Sequence, residues 1–84
     1  MAVYVEFHGA SQWATICLAL YDATPAFIGI TEEITFTGYA SFTDGTNYVS
    51  SRYIFDVSGA SGVYPLISAL STSGEVHNIY VVPL

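Results

Sequence analysis

The stretch SFTDGTNYVSSRYIF, residues 41–55, is the strongest indication of the fold because it reads as a β-hairpin. Asp44-Gly45 forms its tip, and both residue types tolerate the positive φ angles of a type I′ turn. A two-residue turn at this point pairs Phe42 with Asn47. The sequence therefore predicts two antiparallel strands joined at Asp44-Gly45.

This register, continued along both strands, sorts the side chains by polarity. One face is mostly apolar and carries Ile34, Phe36, Gly38, Ala40 and Phe42 across from Phe55, Tyr53, Ser51, Val49 and Asn47. The other carries hydroxyl and aromatic groups, with Thr35, Thr37, Tyr39 and Ser41 across from Ile54, Arg52, Ser50 and Tyr48. Such sorting is expected where one face is core, because a slip of one residue would exchange the two faces.

The N-terminal segment predicts a second hairpin with GASQ, residues 9–12, as its loop. One face then carries only apolar side chains, namely Val3, Val5 and Phe7 across from Leu18, Ile16 and Ala14. A helix over residues 12–21 is the alternative, since Trp13, Ile16, Cys17 and Leu20 have helical spacing. The consistent sorting of faces favours a strand. A further short strand is predicted for AFIGI, residues 26–30.

The C-terminal segment, residues 63–84, predicts a third hairpin around Ser71–Gly74. Here both faces are apolar: one carries Leu66, Leu70, Val76, Tyr80 and Val82, and the other carries Val63, Ile67, Ile79 and Val81. A hairpin of this kind must be covered on both sides. We expect the second set to form an oligomer interface. The alternative is a tight barrel that hides both faces internally.

Breaks rich in Gly, Ser and Asp recur about every ten residues, as is typical of small all-β domains. We therefore predict a single β domain over residues 1–84, built as an antiparallel sandwich or a partly closed barrel of about six to eight short strands.

The composition suggests that part of the surface contacts other chains. Hydrophobic residues make up 52% of the 84 residues and charged residues 10%, whereas a typical soluble domain has about 25% charged residues. One small core cannot bury so much apolar surface, because a short chain has a high ratio of surface to volume. Either the surface is unusually apolar or part of it is buried against neighbours.

The charge of −6, with Arg52 as the single base, argues against two classes of partner. Binding to nucleic acid requires cations that displace counterions from phosphates, and binding to anionic membranes requires basic clusters. The start, MAVYVEFHGA, lacks the features of a signal peptide, and the longest apolar run, WATICLAL, is too short to span a bilayer. We expect a location in a virion or the cytoplasm.

No pattern indicates catalysis, a cofactor or a metal site. Cys17 is the only cysteine, so it cannot form an intrachain disulfide, and no serine lies in a G-x-S-x-G motif. In the predicted hairpin register Glu33 lies opposite Asp56 with Glu32 adjacent. A bound Ca²⁺ would relieve this repulsion, but strands that separate at this point would relieve it equally well.

These observations predict a non-enzymatic protein that works by contact. We expect a homo-oligomer or a component of a larger assembly, such as a virion decoration or cement protein, with itself and other assembly proteins as partners. One alternative is a carbohydrate- or ligand-binding module that uses a hydroxyl and aromatic face, comprising Thr35, Thr37, Tyr39, Tyr48 and Trp13. A third possibility is a small acidic inhibitor that covers a basic site on a host protein.

Overall fold

The computed structural model describes residues 1–9, 11–44, 47–72 and 75–84, with the strand 39–44 described by its backbone alone. Strands account for all of its regular structure. In chain order these are β1 Ala2–His8, β2 Trp13–Tyr21, β3 Phe27–Ile30, β4 Ile34–Thr37, β5 Tyr39–Asp44, β6 Asn47–Val49, β7 Tyr53–Ile54, β8 Gly62–Leu70 and β9 Val76–Val82.

The strands form two antiparallel sheets, each organised around one central strand. In sheet A, β1 pairs with β9 on one side and with β6 and β7 on the other, and β5 pairs with β6. In sheet B, β2 pairs with β8 on one side and with β3 and β4 on the other. Since β6 and β7 share one edge, as do β3 and β4, the described segments fill seven strand positions. The predicted small all-β sandwich is confirmed.

The core lies between the two central strands. Val3, Val5 and Phe7 of β1 and Ala14, Ile16 and Leu18 of β2 have no exposed surface. Alternate residues of a strand point to opposite faces, so each central strand directs one set of alternate side chains into the interior. The prediction that these six side chains face one another is confirmed, as is the prediction of a strand rather than a helix over residues 12–21.

The predicted pairing of neighbouring strands is wrong at both ends of the chain. β1 and β2 lie in different sheets, so their apolar sets meet across the sandwich rather than across a ladder. β8 and β9 also lie in different sheets, and each is an edge strand beside its central strand. Face sorting cannot distinguish these arrangements, because apolar side chains make contact in both.

The hairpin at the centre of the chain is confirmed only near its tip. β5 and β6 are paired, but Asn47 lies opposite Asp44 rather than Phe42, and the register shifts between Tyr39 and Thr43. Gly45 of the predicted turn lies outside the described residues.

The outer half of that hairpin does not form. β4 pairs with β2 in sheet B, whereas β7 pairs with β1 in sheet A. The chain changes sheets at Gly38, where a Cβ atom would lie 2.9 Å from Cδ2 of Phe7 and 3.2 Å from Cβ of Tyr48. The close approach of these side chains requires glycine at the crossing.

One side of each central strand is paired with two short strands in succession, β6 and β7 along β1 and β3 and β4 along β2. Between the two short strands, a buried side-chain hydroxyl bonds to the central strand. Between β6 and β7, Ser50 N–H donates to Val5 O (2.8 Å), and Val5 N–H donates to Ser50 Oγ (2.9 Å). Between β3 and β4, Thr31 N–H donates to Leu18 O (2.9 Å), and Leu18 N–H donates to Thr31 Oγ1 (2.9 Å). Each hydroxyl accepts a bond that a backbone carbonyl would otherwise accept, so the central strand remains satisfied.

A buried amide ties together the two loops at one end of the sandwich. Gln12 Nε2 donates to His8 O (2.8 Å), and Gln12 Oε1 accepts from the backbone N–H of Glu75 (2.6 Å). The first bond closes the β1–β2 connection and the second anchors the residue that precedes β9. The side chain is 7% exposed, and burial in this place is possible because its donor and acceptor groups are both paired.

Candidate contact surface

The outer surface of sheet B is built on the side chains of β2 that point away from the core. Cross-strand partners share a face of the sheet, so the register places residues of β3, β4 and β8 beside them. We call this surface the β2 face: Trp13, Thr15, Cys17, Ala19, Tyr21, Phe27, Ile30, Thr35, Thr37, Gly62, Tyr64, Leu66 and Ala69.

The β2 face carries no charged residue and exposes several large apolar side chains. Phe27 is 60% exposed, Ile30 57% and Tyr64 62%, with Leu66 at 39% and Trp13 at 38%. Soluble monomers rarely leave large apolar patches open to water, and such patches often mark interaction sites.

The centre of the β2 face is closed although the opposite sheet does not cover it. Cys17 and Ala19 are each 3% exposed, because their small side chains lie between larger neighbours on β8 and β3. Burial raises the pKa of the Cys17 thiol, and the charge of Glu33 in the β3–β4 connection raises it further. A buried neutral thiol is a poor nucleophile, so Cys17 serves as a small apolar side chain here.

One end of the β2 face is lined by hydroxyl groups. Trp13, Thr15, Thr35, Thr37 and Ala69 line a shallow depression. The hydroxyls of Thr15 and Thr35 are hydrogen-bonded to each other at 2.9 Å. The indole of Trp13 is the largest apolar group that lines the depression. The arrangement is a flat aromatic ring beside neutral polar groups.

The outer surface of sheet A has polar groups at its centre, with Ile54 and Val82 exposed beside Ala2 at one end. Glu6 is 4% exposed and accepts hydrogen bonds from Tyr80 Oη (2.9 Å) and Asn47 Nδ2 (3.2 Å). The bond to Glu6 raises the pKa of Tyr80. Tyr80 also stacks on Tyr4 with ring centroids 4.6 Å apart, and Asn47 Oδ1 lies 3.0 Å from His8 Nδ1. The carboxylate is thus held by groups of its own sheet.

A cleft of about 220 Å³ lies on the side of the sandwich where β4 faces the β6–β7 connection. Arg52 lines this cleft together with Ser50 and Ser51. It is the only Arg in the sequence, which contains no Lys. Nearby, Tyr53 Oη donates to Glu32 Oε1 (3.2 Å), and this bond raises the pKa of Tyr53. That contact links the two sheets across their open side.

The structure brings together three of the five residues predicted for a ligand face. Trp13 and Thr37 are direct cross-strand partners and Thr35 lies on the same surface. Tyr48 is the partner of Phe7 in sheet A and therefore points toward the interior. Nothing is described of the Tyr39 side chain. The predicted face is thus split, because β4 and β6 belong to different sheets.

The residues predicted for an oligomer interface are also divided. Val63, Ile79 and Val81 are partly buried against the chain's own core. Ile67 is 47% exposed. The two-sided apolar pattern is therefore explained in part by the sandwich itself, since β8 and β9 each contribute side chains to the interior.

Phe27, Ile30, Tyr64 and Leu66 were not predicted as surface residues. For residues 26–30 the sequence predicts only a short strand, and it places Leu66 on one of the two apolar faces of the C-terminal hairpin. A usable signal is present, since β3 and β8 carry apolar side chains at consecutive positions as well, as in FIGI and in PLI of GVYPLISAL. One side of each strand therefore had to remain outside the core.

The predicted meeting of Glu33 and Asp56 does not occur in a common ladder, because the segments that precede and follow them join different sheets. Asp56 instead accepts hydrogen bonds from Ser58 N–H (3.0 Å) and Ser58 Oγ (2.6 Å), which lower its pKa. Among the described residues, no three His, Cys, Asp or Glu side chains gather as possible metal ligands. The same part of the chain contains no helix of the length and apolarity needed to cross a membrane.

No protein-family model, curated protein or solved structure matches this chain.

Proposed function

We propose that the chain is a non-enzymatic structural protein that works by contact, as a homo-oligomer or as one component of a larger assembly. The observation that carries this proposal is the β2 face, an uncharged surface with Phe27, Ile30 and Tyr64 each more than half exposed. A partner that covers these side chains would remove apolar surface from water, at about 25 cal/mol for each Å².

The outer surface of sheet A supports this assignment by contrast. There the buried carboxylate of Glu6 is paired with Tyr80 and Asn47, so its polar groups need no partner. The large apolar side chains exposed on that surface, Ile54 and Val82, are fewer than those of the β2 face. A virion decoration or cement protein is one class that fits this description.

The native mass in solution tests the proposal. We expect light scattering behind size exclusion to give a mass that is a defined multiple of 9.0 kDa. The oligomer should either persist over at least a hundredfold dilution or dissociate with a measurable dissociation constant. The full chain should be used without added partners. A mass of one chain at every concentration would contradict the homo-oligomeric form of the proposal and leave assembly with a different protein to be sought by reconstitution.

A second candidate is a saccharide-binding module, favoured by Trp13 beside the hydroxyls of Thr35 and Thr37 in one depression. An aromatic ring with nearby hydroxyls suits the apolar face and the polar rim of a sugar ring. Trp13 is the only tryptophan, so its fluorescence reports directly on this depression during titration with a saccharide. A saturable change that leaves the native mass unaltered would favour this function.

A further inference from the structure

We infer that a second copy of this chain packs its β2 face against the β2 face of the first, across a two-fold axis. This inference rests on the proposed function and gives it a specific interface. The same residues then meet on both sides, as in most homodimers, and the outer surfaces of the two sheets B form a new apolar layer between two sandwiches.

The charge of the chain favours a second copy over a basic partner. Two copies that each carry −6 repel one another wherever acidic groups meet. The strands of the β2 face carry no Asp or Glu, so two copies packed through this face bring no carboxylates of these strands together. Glu33 lies beside this surface, in the β3–β4 connection. A basic partner would be attracted to the carboxylates, and the other six lie elsewhere: Glu6 and Asp44 on strands of sheet A, and Asp22, Glu32, Asp56 and Glu75 in connections.

The size of the surface suits a dimer of modest affinity. The β2 face takes in thirteen residues on four strands, whereas a standard interface uses about 20–30 residues and roughly 800 Å² on each side. An interface built on this face alone belongs to the smaller class of specific interfaces, in which association is weaker.

The chemistry of the patch matches that of an interface. The exposed parts of its aromatic and aliphatic side chains amount to on the order of 500 Å², given that a whole aromatic side chain buries about 150–250 Å². Threonines at the Trp13 end supply the polar remainder. Homodimer interfaces have a similar proportion, with about 65% apolar area.

The patch is also continuous across the sheet. Cys17 and Ala19 on the central strand are almost fully covered, and their cross-strand partners on this face are apolar. Leu66 is the partner of Cys17, and Ala19 lies between Tyr64 and Ile30. A partner therefore meets one unbroken apolar surface rather than two separate strips.

Strand-to-strand contact through the β8 edge of sheet B is disfavoured because Pro65 interrupts that edge. Both backbone groups of Leu18 bond to Thr31, on the side away from β8. Leu18 is the partner of Pro65, so the two form a non-hydrogen-bonded pair of the antiparallel ladder. The residues of a non-hydrogen-bonded pair direct their backbone N–H and C=O groups away from each other. The Pro65 nitrogen therefore lies on the outer edge of β8, where it removes a donor that a neighbouring strand would need.

A matched pair of substitutions tests the inference. Ile30 is 57% exposed on β3 of the β2 face, and Ile54 is 60% exposed on β7 of sheet A. In sedimentation equilibrium on the full chain, we expect Ile30→Asp to weaken self-association by about tenfold or more, because it places a carboxylate in a desolvated contact. Ile54→Asp, with the same change at similar exposure, should leave the dissociation constant within about twofold.

Tyr64→Asp provides a second variant on a different strand of the same face, at 62% exposure, in case Ile30→Asp does not fold. Circular dichroism and the thermal midpoint identify variants that remain folded. Loss of association in Tyr64→Asp together with retention in Ile54→Asp would support the inference. If the wild type associates and Ile30→Asp and Tyr64→Asp associate equally well, the interface lies elsewhere and the inference fails while the proposed function stands. A wild type that is monomeric throughout would overturn the inference together with the homo-oligomeric form of the proposed function.

Discussion

Ser50 and Thr31 show why the many hydroxyl residues of this chain do not all belong to its surface. In the sequence they are indistinguishable from the solvent-facing serines and threonines around them. In the structure they are 5% and 9% exposed, and each accepts a hydrogen bond from a central strand. A hydroxyl is small enough to be buried once it is paired, so its position depends on where a ladder is interrupted. The place of the interruption is set by the central strand that the hydroxyl bonds to, and not by the serine or threonine itself.

Asp22 acts on the turn that separates β2 from β3. Its Oδ1 accepts hydrogen bonds from the backbone N–H of Thr24 (2.9 Å) and Ala26 (2.7 Å), and also from the Thr24 hydroxyl. These bonds favour the charged carboxylate and lower its pKa below 3.8, the bond from the Thr24 side chain contributing most. The charged form thus stabilises the folded state.

We predict that Asp22→Ala destabilises the protein at pH 7 and that the difference from the wild type becomes smaller in acid. Because the pKa of Asp22 is lower in the folded than in the unfolded state, its contribution is complete above pH 3.8 and is lost as the pH falls through the folded value. Urea denaturation between pH 7 and pH 2 checks this. Asp22→Asn keeps the acceptor oxygen without the charge, so its loss relative to the wild type should be smaller at pH 7 and should also shrink as Asp22 of the wild type becomes protonated. A gap between Asp22→Ala and wild type that stays constant down to pH 2 would contradict the assignment.

At the scale of the strands, the alternation of apolar residues predicts which side of a strand is buried but not which strand lies beside it. The side chains of β1 and β2 pack together as expected, yet the two strands belong to different sheets. A backbone ladder uses the same N–H and C=O groups for any partner. The choice of partner therefore depends on the combined packing of all strands.

Gly38 is the element boundary where this choice is most sensitive. It follows β4 of sheet B and precedes β5 of sheet A, and a Cβ atom at this position would meet the buried ring of Phe7 and the side chain of Tyr48. An added methyl group has no free space at this crossing, and overpacking of a well-packed interior typically costs about 1–3 kcal/mol.

We predict that Gly38→Ala lowers the free energy of unfolding by about 1–3 kcal/mol. Gly62→Ala is the matched control, because a Cβ there would meet only Cβ of Tyr21 at 3.9 Å, and this variant should stay within about 0.5 kcal/mol of the wild type. Midpoints of urea denaturation give both values. Equal effects of the two substitutions would show that the crossing tolerates a side chain and that the close packing around Gly38 is not required.

At the scale of the whole molecule, the acidic character and the apolar character occupy different surfaces. Carboxylates lie on sheet A and in the connections, whereas the strands of the β2 face are uncharged. The net charge of −6 therefore keeps the chain in solution without preventing contact through one face. An acidic inhibitor would use the opposite arrangement, with its carboxylates at the contact.

Salt separates these two modes of contact. We predict that self-association is unchanged or becomes tighter when the salt concentration rises from about 0.05 to 0.5 M, because screening reduces the repulsion between two acidic copies. Sedimentation equilibrium at several salt concentrations gives the dissociation constants. A dissociation constant that increases tenfold over this range would indicate attraction between opposite charges at the interface, which the β2 face does not provide.

The residues of this chain predict its strands, its fold class and most of its core, because these depend on side-chain periodicity over a few neighbouring positions. Val3, Val5, Phe7, Ala14, Ile16 and Leu18 are recognisable as one buried set from alternation alone. The composition likewise indicates a surplus of apolar surface. None of this requires knowledge of which strands are paired.

The location of that surplus follows only from the tertiary arrangement. Val63, Ile79 and Val81 were expected at an interface but pack against the core, whereas Phe27, Ile30 and Tyr64 lie on the surface. The physical reason is that a two-layer sandwich has one interior, and strands compete to direct their apolar sides into it. The central strands β1 and β2 obtain the most burial, while the edge strands β3 and β8 leave apolar side chains exposed on the β2 face.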